Sequence, residues 1–85
     1  MYYVYLLQSE KDKRFYVGFT SDLKRRIFEH NTAKVQSTKA FIPYRLIYFE
    51  GFRSKKDALN REKMLKHHGQ GIRRLKERLP GSTIL

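Results

Sequence analysis

The sequence predicts a small α+β domain with elements in the order β-β-α-β-α-α. Three observations indicate this class. Three short runs are rich in aromatic and β-branched residues, and the first two are separated by too few residues for a crossover helix, so that this pair is antiparallel. Segments with helix-capping residues and helically spaced apolar positions follow. A chain of 85 residues suffices for one compact domain but not for two, so residues 1–85 are predicted to form a single domain.

The first two elements are predicted to form a β-hairpin. Residues Tyr2 to Leu7 are almost wholly apolar, which is typical of a strand covered on both faces. After a polar stretch, a second apolar run extends from Arg14 to Phe19. A turn at Glu10 to Lys13 fixes the register of the pair, and side-chain alternation then places Tyr5 and Tyr16 on the same face.

The next elements are a helix, a loop and the third strand. The helix is predicted to begin at Ser21, a good N-cap, and to extend to about His30, with Asn31 as its stop. Residues 32–43 lack periodicity, which predicts a polar, basic loop. The third strand is predicted over Tyr44 to Phe52, where aromatic and β-branched residues return.

Two further helices are predicted at the C-terminal end. Ser54 and Asp57 resemble a capping box at the start of the first, and Gly69 is expected to close its far end. The last helix is predicted over Gln70 to Leu79, before Pro80-Gly81 ends it. Its inward residues are predicted to be Ile72, Leu75 and Leu79, and its outward residues Arg73, Arg74 and Arg78.

The composition favours a partner rich in negative charge. The chain has 19 Lys and Arg against 8 Asp and Glu, a formal net charge of +11 and a pI near 10.2. Nucleic acid is the commonest polyanion for such a domain, although the same charge could simply form a solvated surface. The chain has no cysteine, which excludes disulfides and thiolate zinc sites and fits a reducing cytoplasm. Its apolar runs are too short to predict a membrane span.

One carboxylate interrupts the apolar face of the second predicted helix of the chain, which begins after Ser54. At about 100° per residue, Ala58, Leu59 and Leu65 define the predicted inward stripe, and Glu62 falls near its middle. A carboxylate in that position needs a cation, because burying an unpartnered charge is costly. The cation could be a metal ion, or a neighbouring Arg or Lys in a purely structural pair.

The first helix also carries polar groups beside its apolar side. Leu23 and Ile27 are predicted to face inward, while Arg26 and His30 lie together along one edge. A guanidinium at a cleft is suited to a phosphate and an imidazole to proton transfer. An amphipathic helix with a snorkelling Arg and a boundary His would give the same pattern.

Two tyrosines complete a set of groups suited to phosphodiester hydrolysis. With Tyr5 and Tyr16 near an Arg, a His and a Glu, the set supplies a base for water, a cation over the developing charge and a carboxylate for a divalent metal. A phenol, whose reference pKa is about 10, acts as a base only where Arg26 or a metal favours its ionised form.

These residues resemble the GIY-YIG nuclease superfamily. Tyr3-Val4-Tyr5 is similar to its first signature and Tyr16-Val17-Gly18 to its second. The segment Asp22 to Asn31 resembles the family helix that carries an Arg and, one turn later, a His; Ala58 to Lys66 resembles the metal-binding helix. The resemblance extends over Tyr2 to Leu79 and is closest to single-domain bacterial proteins of the excinuclease-C-like subgroup.

The resemblance implies a fold, a reaction and residue roles. The fold is a three-stranded antiparallel β-sheet flanked by helices, and the reaction is one-metal hydrolysis that uses Mg²⁺ or Mn²⁺ and leaves a 5′-phosphate. Tyr5 and Tyr16 would position or deprotonate the water, Arg26 would hold the scissile phosphate, His30 would assist proton transfer and Glu62 would bind the metal. Gly18 would allow a tight passage out of the second strand.

The chain departs from the family pattern at two points. Tyr3 stands where the first signature has its glycine, which the subgroup commonly tolerates. Many members also place an Asn near the site on a later element, whereas the only asparagines here are Asn31 and Asn60. That role is therefore unfilled or taken by another group.

The leading hypothesis is a metal-dependent DNA endonuclease with little sequence preference, acting on branched or flap structures. The residues expected to grip the nucleic-acid backbone are Lys34, Lys39, Arg73 and Arg74. A protein partner would supply targeting, since the chain has no targeting domain of its own. The alternatives are a non-catalytic nucleic-acid-binding module that retains the fold, on DNA or RNA, and a basic protein-interaction domain.

Overall fold

The most apolar segment of the chain forms the centre of a three-stranded antiparallel sheet. In this computed structural model, which describes residues 1–67 and 70–83, β1 (Tyr2–Ser9) lies between β2 (Phe15–Thr20) and β3 (Tyr44–Phe52). The helices are α1 (Leu23–Asn31), α2 (Lys55–Lys66) and α3 (Gln70–Glu77), with a short 3-10 helix at Lys39–Phe41. The predicted α+β class, element order and three-stranded antiparallel sheet are therefore confirmed.

The two faces of the sheet support two separate cores because side chains alternate along β1. Val4 and Leu6 pack with residues of α2 and α3, including Leu65. Tyr5 and Leu7 face the other way and pack with α1. Val4 to Leu7 are all at most 1% exposed, as expected for a strand covered on both faces.

The β-hairpin has the predicted register. Tyr5 pairs with Gly18 and Leu7 with Tyr16, so the two tyrosines lie on the same face with ring centroids 6.4 Å apart. The turn is held by Ser9, whose hydroxyl accepts hydrogen bonds from the backbone N–H groups of residues 11 and 12 and donates one to the carbonyl of residue 41. This last bond joins the hairpin to the loop before β3.

Helix α1 begins one residue later than predicted. Asp22, not Ser21, is its N-cap, and the Asp22 carboxylate accepts a hydrogen bond from the backbone N–H of Arg25. Both residues are good caps, but the hydroxyl of Thr20 already accepts from the N–H of Asp22 and fixes the chain before the helix. At the other end, Asn31 is the last helical residue rather than a stop.

The loop over residues 32–43 is more ordered than its composition predicts. It contains the 3-10 helix, and Val35 and Thr38 are buried beneath it. The guanidinium of Arg14 lies 3.4 Å from the ring centroid of Phe41, which attaches the loop to the hairpin. The loop is therefore packed against the α1 side of the sheet.

Helices α2 and α3 lie close to their predicted positions. The hydroxyl of Ser54 caps α2 by accepting from the N–H of Asp57, as predicted. Ala58 and Leu65 face the sheet, but Leu59 was wrongly predicted to do so: it is 41% exposed, because it lies one residue round the helix from Ala58. The predicted closure at Gly69 lies outside the described residues.

Helix α3 ends at Glu77 rather than Leu79, although Ile72, Leu75 and Leu79 pack inward as predicted. None of the helices described within residues 1–67 and 70–83 has the length and apolar character needed to cross a bilayer.

Candidate active site

The phenol of Tyr5 crosses over Gly18, its partner on β2. A Cβ atom built on Gly18 would overlap the Tyr5 ring and hydroxyl, so the absence of a side chain at position 18 gives Tyr5 its room. This role differs from the predicted one, a tight passage out of the strand, because the backbone at Gly18 is not in the left-handed region. Gly18 therefore allows the Tyr5 hydroxyl to extend across β2.

A row of hydrogen bonds leads from Tyr5 into the protein interior. The Tyr5 hydroxyl is 2.8 Å from Nε2 of His30, and Nδ1 of His30 is 2.8 Å from the hydroxyl of Thr38. The Thr38 hydroxyl donates to the carbonyl of Val35 at 3.4 Å, so it accepts from Nδ1–H. In a neutral imidazole Nε2 is then the acceptor, and the Tyr5 O–H donates to it.

Burial keeps both members of the Tyr5–His30 pair neutral. It raises the pKa of Tyr5 to about 12. A hydrogen bond to the Arg26 guanidinium lowers this pKa, whereas the charges of Tyr16 and Glu62 raise it further. Burial also lowers the pKa of His30 to about 4, and the positive charge of Arg26 adds to this. His30 is fully buried among tyrosine rings and is not the boundary residue that an amphipathic helix would have.

Arg26 lies between the Tyr5 hydroxyl and a carboxylate on its own helix. Its Nη1 is 3.1 Å from Oε1 of Glu29, and Nε of Arg25 is 3.4 Å from the other carboxylate oxygen. The Arg26 guanidinium is the main cause of the lowered pKa of Glu29. A cleft of about 250 Å³ opens beside Arg26 and Glu29, at the junction of β2 and α1. Arg26 is thus oriented by two partners at the edge of a solvent-filled space.

Glu62 approaches the tyrosines from α2. Its carboxylate is 3.1 Å from Nζ of Lys66, and Nζ of Lys66 is 6.0 Å from the ring centroid of Tyr16. The charge of Glu62 also contributes to the raised pKa of Tyr5. Of the cations that the sequence left open as partners, Lys66 is the one that contacts Glu62. Arg61, the neighbour of Glu62, pairs with Glu50 on β3.

The site fits a metal ion held by one carboxylate. Within residues 1–67 and 70–83, no three His, Asp or Glu side chains are grouped to hold a metal between them. Mg²⁺ needs no such group, because it keeps several waters and binds through one or two carboxylates and the phosphate of a substrate. The Glu62 side chain is 20% exposed, so water can reach it, and it already attracts a cation. Glu62 is therefore suited to share an ion with a bound phosphate.

The asparagines of this chain do not fill the role that the family resemblance implies for an Asn near the site. Both polar atoms of the Asn31 side chain bond to the backbone of Tyr44, at 2.7 and 3.1 Å, and join α1 to β3. Asn60 is an exposed residue of α2.

Three residues of the site were missed by the sequence analysis. Lys66 and Glu29 lie one helical turn from Glu62 and Arg26, and that spacing could have identified them. Thr38 carries no such signal, because it lies in a loop without periodicity.

The four basic residues predicted to grip nucleic acid are all exposed but do not form one surface. Lys34 and Lys39 belong to the loop on the α1 side of the sheet. Arg73 and Arg74 belong to α3, which packs on the opposite face. A nucleic acid that contacts both pairs would have to pass around the edge of the sheet.

Comparison with known proteins identifies relatives along nearly the whole chain. A family model described as the GIY-YIG catalytic domain matches residues 1–76. A UPF0213 protein of Streptococcus pneumoniae serotype 4 is 42% identical over 65 residues, which cover 75% of this chain and 65% of that protein. A UPF0213 protein of Limosilactobacillus reuteri is 45% identical over 80 residues, which cover 91% and 79%. The matched region thus spans just under two thirds of the streptococcal relative.

A solved structure supports the same relationship. The solution NMR structure of a UPF0213 protein from Bacillus halodurans matches with a TM-score of 0.58 and 34% sequence identity, covering 95% of this chain and 87% of that one. Because the family model covers residues 1–76 and these relatives share the fold, the chain belongs to the GIY-YIG catalytic domain family and has a nuclease-type fold.

Proposed function

We propose that this protein is an endonuclease that hydrolyses phosphodiester bonds of DNA with the help of Mg²⁺ or Mn²⁺. One observation carries the proposal: the charges of Arg26 on α1 and Glu62 on α2 both affect the pKa of Tyr5, whose ring lies beside that of Tyr16. Lys66, the partner of Glu62, is 6.0 Å from the Tyr16 ring centroid. A guanidinium, a carboxylate and two phenols in one region of the molecule are the groups that phosphodiester hydrolysis needs. A module that only binds nucleic acid has little use for a carboxylate in that region.

Arg26 is the residue that would hold the scissile phosphate. Its guanidinium faces the cleft at the start of α1, and Tyr5 and Glu29 fix its orientation. Such preorganised cations stabilise the charge that develops on the phosphoryl oxygens. Glu62 would hold the divalent ion, which supplies charge neutralisation at the same phosphate and polarisation of its oxygens. Lys66 would have to yield part of its contact with Glu62 when the ion is present.

The two tyrosines would have different roles. The pKa values of about 12 for Tyr5 and about 4 for His30 mean that moving the Tyr5 proton to His30 in the resting site costs on the order of 10 kcal/mol. The pair therefore acts mainly as a fixed hydrogen bond that positions the Tyr5 oxygen against Arg26. Burial is the main cause of the low pKa of His30 and the charge of Arg26 the second, so a bound phosphate that offset Arg26 would favour protonation of His30 only in part.

Tyr16 is the better candidate for contact with the attacking water. It is partly exposed, and its hydroxyl makes no hydrogen bond with the described residues, whereas Tyr5 is 1% exposed. Its ring packs edge-on against His30 at 4.9 Å, which holds it beside Tyr5. Tyr16 would therefore orient the water, and Tyr5 would complete the phosphate site.

The binding of DNA would rest on charge. With a net charge of +11, the protein should bind the phosphate backbone strongly at low salt and with little sequence preference. Lys34, Lys39, Arg73 and Arg74 are proposed contacts. The proposed setting is the cytoplasm, where a protein partner would direct the module to branched or flap DNA.

The test is cleavage of supercoiled plasmid and of flap and branched substrates with Mg²⁺ or Mn²⁺. Arg26→Ala and Glu62→Ala should each lower the rate by about 100-fold or more, as expected when a transition-state contact is lost. Lys24→Ala, which removes an exposed charge from the same helix, should cut almost as well as the wild type. Equal cleavage by Arg26→Ala, Glu62→Ala and the wild type would show that the assignment of the site is wrong.

The Glu62–Lys66 ion pair favours a second candidate function, that of a non-catalytic nucleic-acid-binding module. In such a module the ion pair would be purely structural, since the carboxylate already has a cation of the protein as its partner. Nucleic-acid binding would then be independent of metal and unchanged in Glu62→Ala. The same set of variants, assayed for binding and cutting, separates the two functions.

A further inference from the structure

A second basic cleft lies between α2 and α3. The two helices meet at Gly71, where an added Cβ would lie 2.7 Å from Cα of Leu65 and 2.9 Å from the carbonyl oxygen of Met64. This close backbone contact brings the helices together at one point, and a cleft of about 480 Å³ opens beside it. The residues that line it are Arg61, Lys63, Met64, His67, Gln70, Gly71, Arg74, Leu75 and Arg78.

The lining combines positive charge with an apolar surface. Among the described residues, it includes four Lys and Arg and no Asp or Glu. Arg61 is neutralised by Glu50, but Lys63, Arg74 and Arg78 form no ion pair within the described part of the chain. Cations that share one cleft repel each other, so a bound anion would stabilise the arrangement. Met64, which is 62% exposed, and Leu75 provide an apolar surface between the charges.

This chemistry matches one unit of a nucleic-acid strand. A phosphate would bind the cations, and the flat face of a base would pack against the polarisable thioether of Met64. The volume is that of a small-ligand site, which suits a nucleotide unit but not a duplex.

The position of the cleft relates it to the candidate active site. Glu62 and Lys66 lie on the flank of α2 that faces the tyrosines, whereas Lys63 and Met64 lie on the flank that faces the cleft. The two flanks are separated by about one helix diameter, roughly 10 Å.

We propose that the α2–α3 cleft binds a nucleotide unit in a single-stranded segment that flanks the bond to be cut. Arg74 and Arg78 would hold its phosphate, and Met64 would contact its base. The choice of substrate rests on the proposed nuclease function, but binding by the cleft does not require cutting. The proposal also separates two basic residues of α3, because Arg74 lines the cleft and Lys76 does not.

The test measures binding of a fluorescently labelled ten-nucleotide oligothymidylate by anisotropy, with EDTA present so that no strand is cut. Arg74→Glu should weaken binding by about tenfold. It should also reduce the slope of log affinity against log salt concentration by about 0.7 for each lost phosphate contact. Lys76→Glu makes the same change of charge on the same helix, at an exposed position outside the cleft, and should weaken binding only about twofold. Equal losses in the two variants would overturn the proposal, because they would indicate general surface charge.

A second measurement follows the two methionine methyl groups by NMR. Met1 and Met64 are 61% and 62% exposed, so Met1 is a matched internal control outside the cleft. The oligothymidylate should shift the Met64 signal and leave that of Met1 unchanged, whereas inorganic phosphate should shift neither. Equal shifts of both methyl groups, or no shift of Met64, would show that no base occupies the cleft. Neither outcome depends on whether Arg26 and Glu62 support hydrolysis.

Discussion

The phenol of Tyr5 occupies the space in which a side chain at Gly18 would begin. The two residues face each other across the hairpin, and the Tyr5 hydroxyl continues to His30. The second signature of the family ends with this glycine, and in this protein its role is steric. The candidate site therefore depends on the absence of a Cβ atom at position 18.

Replacing Gly18 with Ala should destabilise the protein by about 2 kcal/mol or more, because the added methyl group must displace the Tyr5 ring and break its hydrogen bond to His30. Urea denaturation measures this change. Gly81→Ala is the control, since no atom of residues 1–67 and 70–83 lies within 4 Å of a Cβ at that position. In a Tyr5→Ala background the same Gly18→Ala change should cost far less, and an unchanged cost would contradict the steric explanation.

Stability should fall as the pH is lowered from 7 to 5. The pKa of His30 is about 4 in the folded protein and about 6.5 in an unfolded chain, so between these values only the unfolded state takes up the proton. The expected loss at pH 5 is about 2 kcal/mol in the free energy of unfolding. Carboxylates with lowered pKa values, such as Glu29 and Glu50, contribute to acid destabilisation mainly below pH 4.5. His30→Gln should lack this step, and an equal step in that variant would assign it to other groups.

Replacing Thr38 with Val should leave the Nδ1–H group of His30 buried without an acceptor. The expected cost is about 1–3 kcal/mol in the free energy of unfolding, and Thr38→Ser, which keeps the hydroxyl, should cost less. The ¹⁵N shifts of the imidazole should show the Nδ1–H tautomer in the wild type. A wild-type imidazole protonated at Nε2 would show that Tyr5 is the acceptor in its bond to His30, contrary to the present assignment.

Replacing Lys66 with Gln should strengthen metal binding at Glu62, because the ammonium group that competes for the carboxylate is removed. An exposed ion pair of this kind contributes about 0.2–1 kcal/mol, so Mn²⁺ should bind up to about fivefold more tightly. Paramagnetic broadening of NMR signals near Glu62 measures the affinity. Lys63→Gln removes the same charge on the other flank of α2, and an equal gain in both variants would indicate a general charge effect instead.

Local patterns in the sequence were sufficient to predict most of the fold. The limits of β3 and the hairpin register were predicted correctly, because aromatic and β-branched alternation and a short turn leave few alternatives. The start of α1 was wrong by one residue, because Ser21 and Asp22 have similar capping chemistry and a local hydrogen bond from the N–H of Asp22 to the hydroxyl of Thr20 decides between them. Leu59 was assigned to the inward stripe with Ala58 and Leu65, although the helix leaves it exposed.

The candidate site was predicted less completely than the fold. Glu62 was identified because it interrupts an apolar stripe and Arg26 because it lies at the edge of one, and both influence the pKa of Tyr5. Thr38 could not be identified, since its contact with His30 depends on how a non-periodic loop folds back onto α1. The steric role of Gly18 could not be predicted either, because it depends on the direction in which the Tyr5 side chain points from the neighbouring strand.

The two cores on opposite faces of the sheet have a consequence for partly folded chains. Arg26 and His30 belong to the layer packed on one face, and Glu62 belongs to the layer packed on the other. A chain in which only one layer had docked would keep all its positive charge and could still adhere to nucleic acid. Under the proposed function, such a chain could not bring Arg26 and Glu62 to the same site, so partly folded molecules would bind DNA without cutting it.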